Sequence, residues 1–182
     1  MVYMLLGTGF EETEAIAPLD LLRRAGLQVQ TVGLNGKIIY GSHGIGVEAD
    51  ITIDQLDLTQ LEMIVLPGGL GGVASARACQ PALDALRFAY ENGKYVAAIC
   101  AGPTVLADLG ITDGKKATCY PGCEDGMGKA QIQFILYKGN HYHITLKSND
   151  GEKFYVNTND VWEDYDDVGI NIKASDLRIT KQ

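Results

Sequence analysis

One cysteine stands where chemistry can happen. In Val96-Ala97-Ala98-Ile99-Cys100-Ala101-Gly102-Pro103 an apolar run stops at a thiol and passes into small residues and a proline. This pattern predicts a strand that delivers Cys100 to a tight turn opening a helix. Gly102 bends without a Cβ clash, and Pro103 suits a first helical turn, where a missing N–H costs nothing. A thiol just ahead of a helix N-terminus meets unpaired N–H groups and the positive end of the macrodipole. Both favour the nucleophilic thiolate. The competing reading is a buried thiol packed as a small hydrophobe; the turn and the acids described next argue for reactivity instead.

A nucleophile needs a proton partner and a support for the oxyanion it creates. Glu11, Glu12 and Glu14 follow the first apolar run, Val2 to Leu6, and its Gly7-Thr8-Gly9 exit. A parallel sheet brings that loop to the same edge as Cys100, so one of the three can reach the thiol. A carboxyl so placed would hold a proton, because two negative charges at close range repel, and could then shuttle it. Glu11 and Glu12 also read simply as first-turn acids that complement a helix dipole. Gly69, in Leu66-Pro67-Gly68-Gly69, and Ala101 carry backbone N–H groups that such turns leave free for an oxyanion. Gly68-Gly69 and Gly71-Gly72 lack the flanking pattern of a phosphate cradle. Cys119, Cys123, His141 and His143 read as surface residues rather than metal ligands, so no metal and no cofactor is expected.

The elements that must position these groups alternate. Helical spacing over Glu12 to Ala25 follows the first strand, and Leu27 to Gly33 gives a second. Ile38-Ile39 and Gly46-Val47-Glu48 suggest a small hairpin. Met63 to Leu66 is a third apolar strand, Pro81 to Asn92 a helix, Tyr95 to Ile99 the strand before Cys100, and Pro103 to Leu109 a helix. A further strand is expected near Ala117 to Cys119. Such alternation implies βαβ units and a parallel sheet, whose ligands bind beyond the strands' carboxyl ends. The loops Gly7 to Glu14, Pro67 to Gly72 and Cys100 to Pro103 converge there.

Composition limits the function classes. The 182 residues carry a net charge of -8 and a pI near 4.8, which argues against nucleic acid, a ligand bound by clustered Lys and Arg. No apolar stretch approaches the roughly 18 residues of a membrane span, and the amino terminus lacks a basic leader and cleavage site. No membrane partner is expected, and a cytoplasmic location is. The four cysteines read as free thiols.

Gly9-Phe10-Glu11-Glu12-Thr13-Glu14-Ala15, Leu66-Pro67-Gly68-Gly69 and Ala98-Ile99-Cys100-Ala101-Gly102-Pro103, in that order over residues 1–125, resemble the ThiJ/PfpI superfamily of parkinsonism-associated deglycase type. The resemblance implies an α/β fold: a flavodoxin-like parallel sheet with helices on both faces. It implies a homodimer, Cys100 as nucleophilic and oxidisable residue, Glu14 as its partner, and Gly69 and Ala101 as oxyanion donors. Small reactive carbonyls or their protein adducts are the implied substrates, by glyoxalase or deglycase chemistry. The alternatives are a redox-sensing or chaperone-like protein whose Cys100 is reversibly oxidised, and a catalytically dead composite. Many members place a histidine where Tyr120 stands in Thr118-Cys119-Tyr120-Pro121, so a Cys-His dyad is not expected.

Beyond Asp125 the superfamily's closing strand, S-R-G-P-G turn and last helix are absent, so the sheet is expected to be incomplete at its C-terminal end. Short alternating runs follow instead, Ile132 to Tyr137, Tyr142 to Lys147, Lys153 to Asn157 and Val168 to Ile172, with turns at 138–140 and 149–151. Trp162 and the tail tyrosines are expected in a small core, and Asp160 to Asp167 in a solvated acidic turn. The segment resembles the OB-like regulatory domain that ends polyamine-type ABC importer ATPases, here without a P-loop. The expected domains are 1–129 and an all-β 130–182. Limited proteolysis is then expected to cut first within Gly122 to Lys129; resistance there, with unfolding of a 1–129 fragment, would instead mean that the tail completes the sheet.

Overall fold

The computed structural model describes residues 1–113, 115, 117–123, 129–148, 153–159, 161, 163, 165 and 167–169. The chain divides into two compact units, Met1–Thr112 and Asp113–Gln182.

In the first unit five parallel strands form one sheet in the order β5-β2-β1-β6-β7. They are β1 (Val2–Leu6), β2 (Val29–Gly33), β5 (Ile51–Thr52), β6 (Met63–Leu66) and β7 (Tyr95–Ala98). All five β1 residues are buried, as expected of a central parallel strand covered on both faces. Val2, Met4 and Leu6, spaced by two and so on one face, join Ala15 and Leu19 of helix α1 (Glu12–Arg24) in one core cluster. Helix α3 (Gln80–Glu91) packs on β6 and β7 through an apolar face of Ala82, Ala85, Leu86 and Ala89. The short hairpin β3 (Ile38–Tyr40) and β4 (Gly46–Glu48) stands apart from the sheet. This is the flavodoxin-like architecture that the sequence implies.

Several expectations need correction. Residues 117–119 form no strand: Ala117 and Thr118 are exposed, so no buried face rewards pairing, and among the described residues the sheet stops at β7. A helix that the sequence did not announce, α2 (Leu70–Ala78), follows Gly69. Its Gly71 and Gly72 are poor helix formers, but they let the helix lie against the 7–10 loop. A Cβ on Gly72 would come 2.7 Å from Phe10 Cα, and one on Gly7 2.6 Å from Ser75 Cβ. Close packing, not a phosphate cradle, is what these glycines serve. Finally, β2 begins at Val29, and Leu27 is exposed.

The second unit is a four-stranded antiparallel sheet, β10-β9-β8-β11, of β8 (Lys129–Tyr137), β9 (Tyr142–Ser148), β10 (Lys153–Thr158) and β11 (Asp167–Gly169). Ile144 and Leu146 form its core with Ile135, Tyr142 and Phe154. Most of the tail tyrosines do not join it: Tyr137, Tyr155 and Tyr165 are exposed, because alternation along the strands turns Tyr155 away from Phe154. Trp162, Asp160, Asp164, Asp166, the 149–151 turn, residues 170–182 and junction residues 124–128 lie outside the described residues.

Candidate active site

The sheet's carboxyl edge gathers three segments. After β6, Pro67-Gly68-Gly69 leads into α2; after β1, residues 7–11 lead into α1; after β7, residues 99–102 lead into α4 (Pro103–Asp108). Glu11 N–H donates to Gly68 O at 3.0 Å, which ties the first segment to the second. Ile99 N–H donates to Leu66 O at 3.4 Å, which ties the third to the end of β6.

Cys100 occupies the turn with φ +60, in the left-handed region. A non-glycine residue held there costs about 1–3 kcal/mol, and such strain persists only where the surroundings enforce it. Gly102 closes the turn by donating its N–H to Ile99 O at 2.9 Å. A Cβ at Gly102 would lie 2.9 Å from both Ile99 O and Leu66 O, so the chain crosses the end of β6 too closely for any side chain. The thiol is half-buried and unpaired with any other cysteine.

The three glutamates separate. Glu11 caps α1, its Oε2 accepting from Glu14 N–H at 2.7 Å. Glu14 reaches across the edge, and its Oε2 accepts from Gly68 N–H at 2.9 Å. Glu14 and Cys100 converge on Gly68: a methyl there would collide with Glu14 Oε2, lie 2.5 Å from Cys100 Cβ and 3.0 Å from Sγ. Gly68 is the residue that sequence reasoning missed, and its only signal was the Pro67-Gly68-Gly69 string at a strand end. Gly69, with φ +85, caps α2. Neither the Gly69 nor the Ala101 N–H donates to another backbone or side-chain acceptor among the described residues. Ala101 is buried.

Glu12 serves the hairpin instead. Its carboxylate is buried and accepts from His43 N–H (2.7 Å), His43 Nδ1 (2.9 Å) and Ser42 Oγ (3.1 Å). Burial pushes its pKa up, but the His43 and Ser42 hydrogen bonds outweigh that and hold it at about 2, against an ordinary 4.5. The His43 ring is pushed above its ordinary 6.5 chiefly by the hydrogen bond to Glu12. A carboxylate oxygen of each of Glu11 and Glu12 and a ring nitrogen of His43 lie within 4.8 Å of one another, with Glu11 engaged by the cap and Glu12 by the hairpin. In the second unit, His141 Nδ1 lies 2.7 Å from Asn140 Oδ1, and His143 Nδ1 lies 2.8 Å from Asn157 Oδ1.

With this geometry in hand, comparison with known proteins identifies the class. Residues 1–138 match the DJ-1/PfpI family, and the chain belongs to that family. It is 40% identical to protein dj-1beta of Drosophila melanogaster over 119 residues, which cover 65% of this chain and 64% of the fly protein. A deglycase of Pyrococcus horikoshii is 34% identical over 134 residues, covering 74% of this chain and 80% of the relative. Among solved structures, oxidised DJ-1 of Toxoplasma gondii superimposes with a TM-score of 0.66 at 30% identity over 82% of this chain and 78% of that one. Drosophila DJ-1beta superimposes at 0.65 and 38% identity, covering 69% and 68%. The chain thus spans slightly under two thirds of the fly relative's length. No helix among the described residues is long and apolar enough to cross a membrane.

The Glu12–His43 pair has a defined pH signature. A depressed carboxyl pKa contributes stability above 4.5 that is lost as pH falls toward about 2. A raised imidazole pKa contributes stability below 6.5 that is lost as pH climbs through the raised value. Glu12→Gln is therefore expected to destabilise most between pH 4.5 and 6.5. Urea unfolding of both proteins from about pH 3 to about pH 9 checks this; a pH-independent difference contradicts the pairing. Gly68→Ala, which crowds Glu14 and Cys100, is expected to lower unfolding stability by about 1–3 kcal/mol, read from the same urea midpoints.

Proposed function

We propose that the chain is a cysteine-dependent enzyme acting on small reactive carbonyls or their protein adducts, with Cys100 as nucleophile and Glu14 as proton partner. The observation that carries this reading is the convergence of Cys100 and Glu14 on Gly68, with Cys100 in the left-handed region. The deglycase names of the archaeal relatives support the substrate class.

On a 2-oxoaldehyde the chemistry balances without an external oxidant. The Cys100 sulfur bonds to the aldehyde carbon, the carbonyl pair moves onto oxygen, and the Gly69 and Ala101 N–H groups hold that charge. Glu14 gives its proton to that oxygen and, now a carboxylate, takes the carbon-bound proton of the hemithioacetal and returns it to the neighbouring carbon, while the hydroxyl proton passes to the neighbouring oxygen; the adduct becomes a thioester of a 2-hydroxy acid. Water then releases the acid and restores the thiol. The oxidation of one carbon is matched by the reduction of its neighbour. In this reading residues 1–129 are the catalytic domain and 130–182 a β appendage, and the protein works as a cytoplasmic homodimer.

A redox-sensing role is the second reading, favoured by the half-buried thiol and by the oxidised state in which the Toxoplasma relative was solved. Conversion of methylglyoxal to lactate separates the two. Cys100→Ser is expected to abolish turnover, and Glu14→Gln to lower it by about 10²–10⁴-fold with the fold retained. Iodoacetamide is expected to label Cys100 ahead of Cys79, Cys119 and Cys123. Equal turnover with and without the Cys100 thiol removes the catalytic reading, whereas reversible oxidation by peroxide without turnover supports the sensor.

A further inference from the structure

The strained turn is gripped from a second side. Thr104, 4% exposed, donates its hydroxyl to Ala101 O at 2.6 Å. That hydroxyl accepts in turn from Arg77 of α2, whose terminal guanidinium nitrogen lies 2.6 Å away. Arg77 Nε donates to Asp108 Oδ2 at 2.7 Å, which fixes the plane of the guanidinium. As a half-exposed ion pair, Arg77–Asp108 is worth little by itself. The inward hydrogen bond is different in kind. A buried hydroxyl with its donor and acceptor both engaged has one orientation, and successive hydrogen bonds polarise one another.

The two ends of this hydrogen-bonded chain matter. One end is the residue directly after Cys100. The other is α2, the helix whose N-cap is Gly69. The two N–H groups assigned to the oxyanion therefore sit on segments that Arg77 and Thr104 tie together. Displacing such a donor by even a fraction of its hydrogen-bond length costs rate steeply, because the developing charge is then met by a poorly aimed dipole.

We infer that Arg77 is a positioning residue for the Cys100 turn, acting through the Thr104 hydroxyl on the Ala101 peptide to hold the turn against α2. This rests on the carbonyl-enzyme reading for its kinetic consequence, but not for its effect on the thiol. In the full chain, Arg77→Met and Thr104→Val are expected to lower kcat for methylglyoxal about tenfold with KM within about twofold, since an oxyanion hydrogen bond is made in the transition state alone. In the same preparations the iodoacetamide rate at Cys100 is expected to fall about fivefold as the turn relaxes, with Cys79 unaffected. Thr104→Ser, which keeps the hydroxyl, and Arg87→Met, which removes an exposed charge on α3, are expected to match the parent. An unchanged Cys100 rate in both main variants overturns the inference. So does an equal loss in Thr104→Ser, or a parallel acceleration at Cys79 that reports general loosening. Should Thr104→Val not fold, Arg77→Met decides by the same criteria. If the parent shows no turnover, or Cys100→Ser retains it, the carbonyl reading falls and the labelling comparison still judges the clamp.

Discussion

The left-handed backbone at Cys100 is the constraint on which the rest of the site depends. A side chain in that region is unfavourable in isolation, so the neighbouring chain must leave the turn no alternative. Here the end of β6 does this. Leu66 O accepts from Ile99, the chain crosses Leu66 O so closely at Gly102 that no Cβ fits, and Gly68 leaves room for both Cys100 and Glu14. The sheet register supplies the force: Leu66 pairs with Ala98 at the last step of the β6–β7 ladder, which fixes where β7 runs out and the turn begins.

The acid string shows how one short stretch is divided by helix geometry. Glu11 lies before the helix and caps it. Glu12 and Glu14 are two residues apart, about 200° around a 3.6-residue helix, and so face opposite ways. Glu12 goes to the hairpin and Glu14 to Gly68. Burial of Glu12 is tolerated because several hydrogen-bond donors replace the water it loses. The hairpin it holds also meets the 8–10 loop, with Gly9 N–H on Tyr40 O and Ser42 N–H on Phe10 O, so the segment carrying the acids is braced by the hairpin as well as by Gly68.

The second unit obeys different rules. Its antiparallel sheet has one buried face, centred on Ile144 and Leu146, while Phe134, Leu136 and Tyr155 stand exposed on the other. His143 stacks on Tyr155 at a ring separation of 5.9 Å and pairs with Asn157. One-sided burial of this kind suits an antiparallel sheet and would not suit the doubly covered parallel sheet of the first unit.

The sequence by itself determined the parallel α/β frame, the strand that leads to the Cys100 turn, the hairpin and the antiparallel tail. Each of these rests on local periodicity or on a turn residue. It also determined that an acid would stand at the thiol's edge, because strand-to-helix loops share one edge of a parallel sheet. The family resemblance pointed to Glu14, and tertiary structure supplies the reason: the packing of α1 turns Glu14 to Gly68 and Glu12 to the hairpin. It alone decided that Gly71 and Gly72 lie in a helix, because low intrinsic propensity was overridden by the close approach of the 7–10 loop. Among the described residues it ended the sheet at β7, with Ala117 and Thr118 exposed rather than paired. The meeting of Arg77 with Thr104, 27 residues apart, left no pattern in the sequence, because a hydrogen bond between two helices depends on their placement and not on spacing along either one.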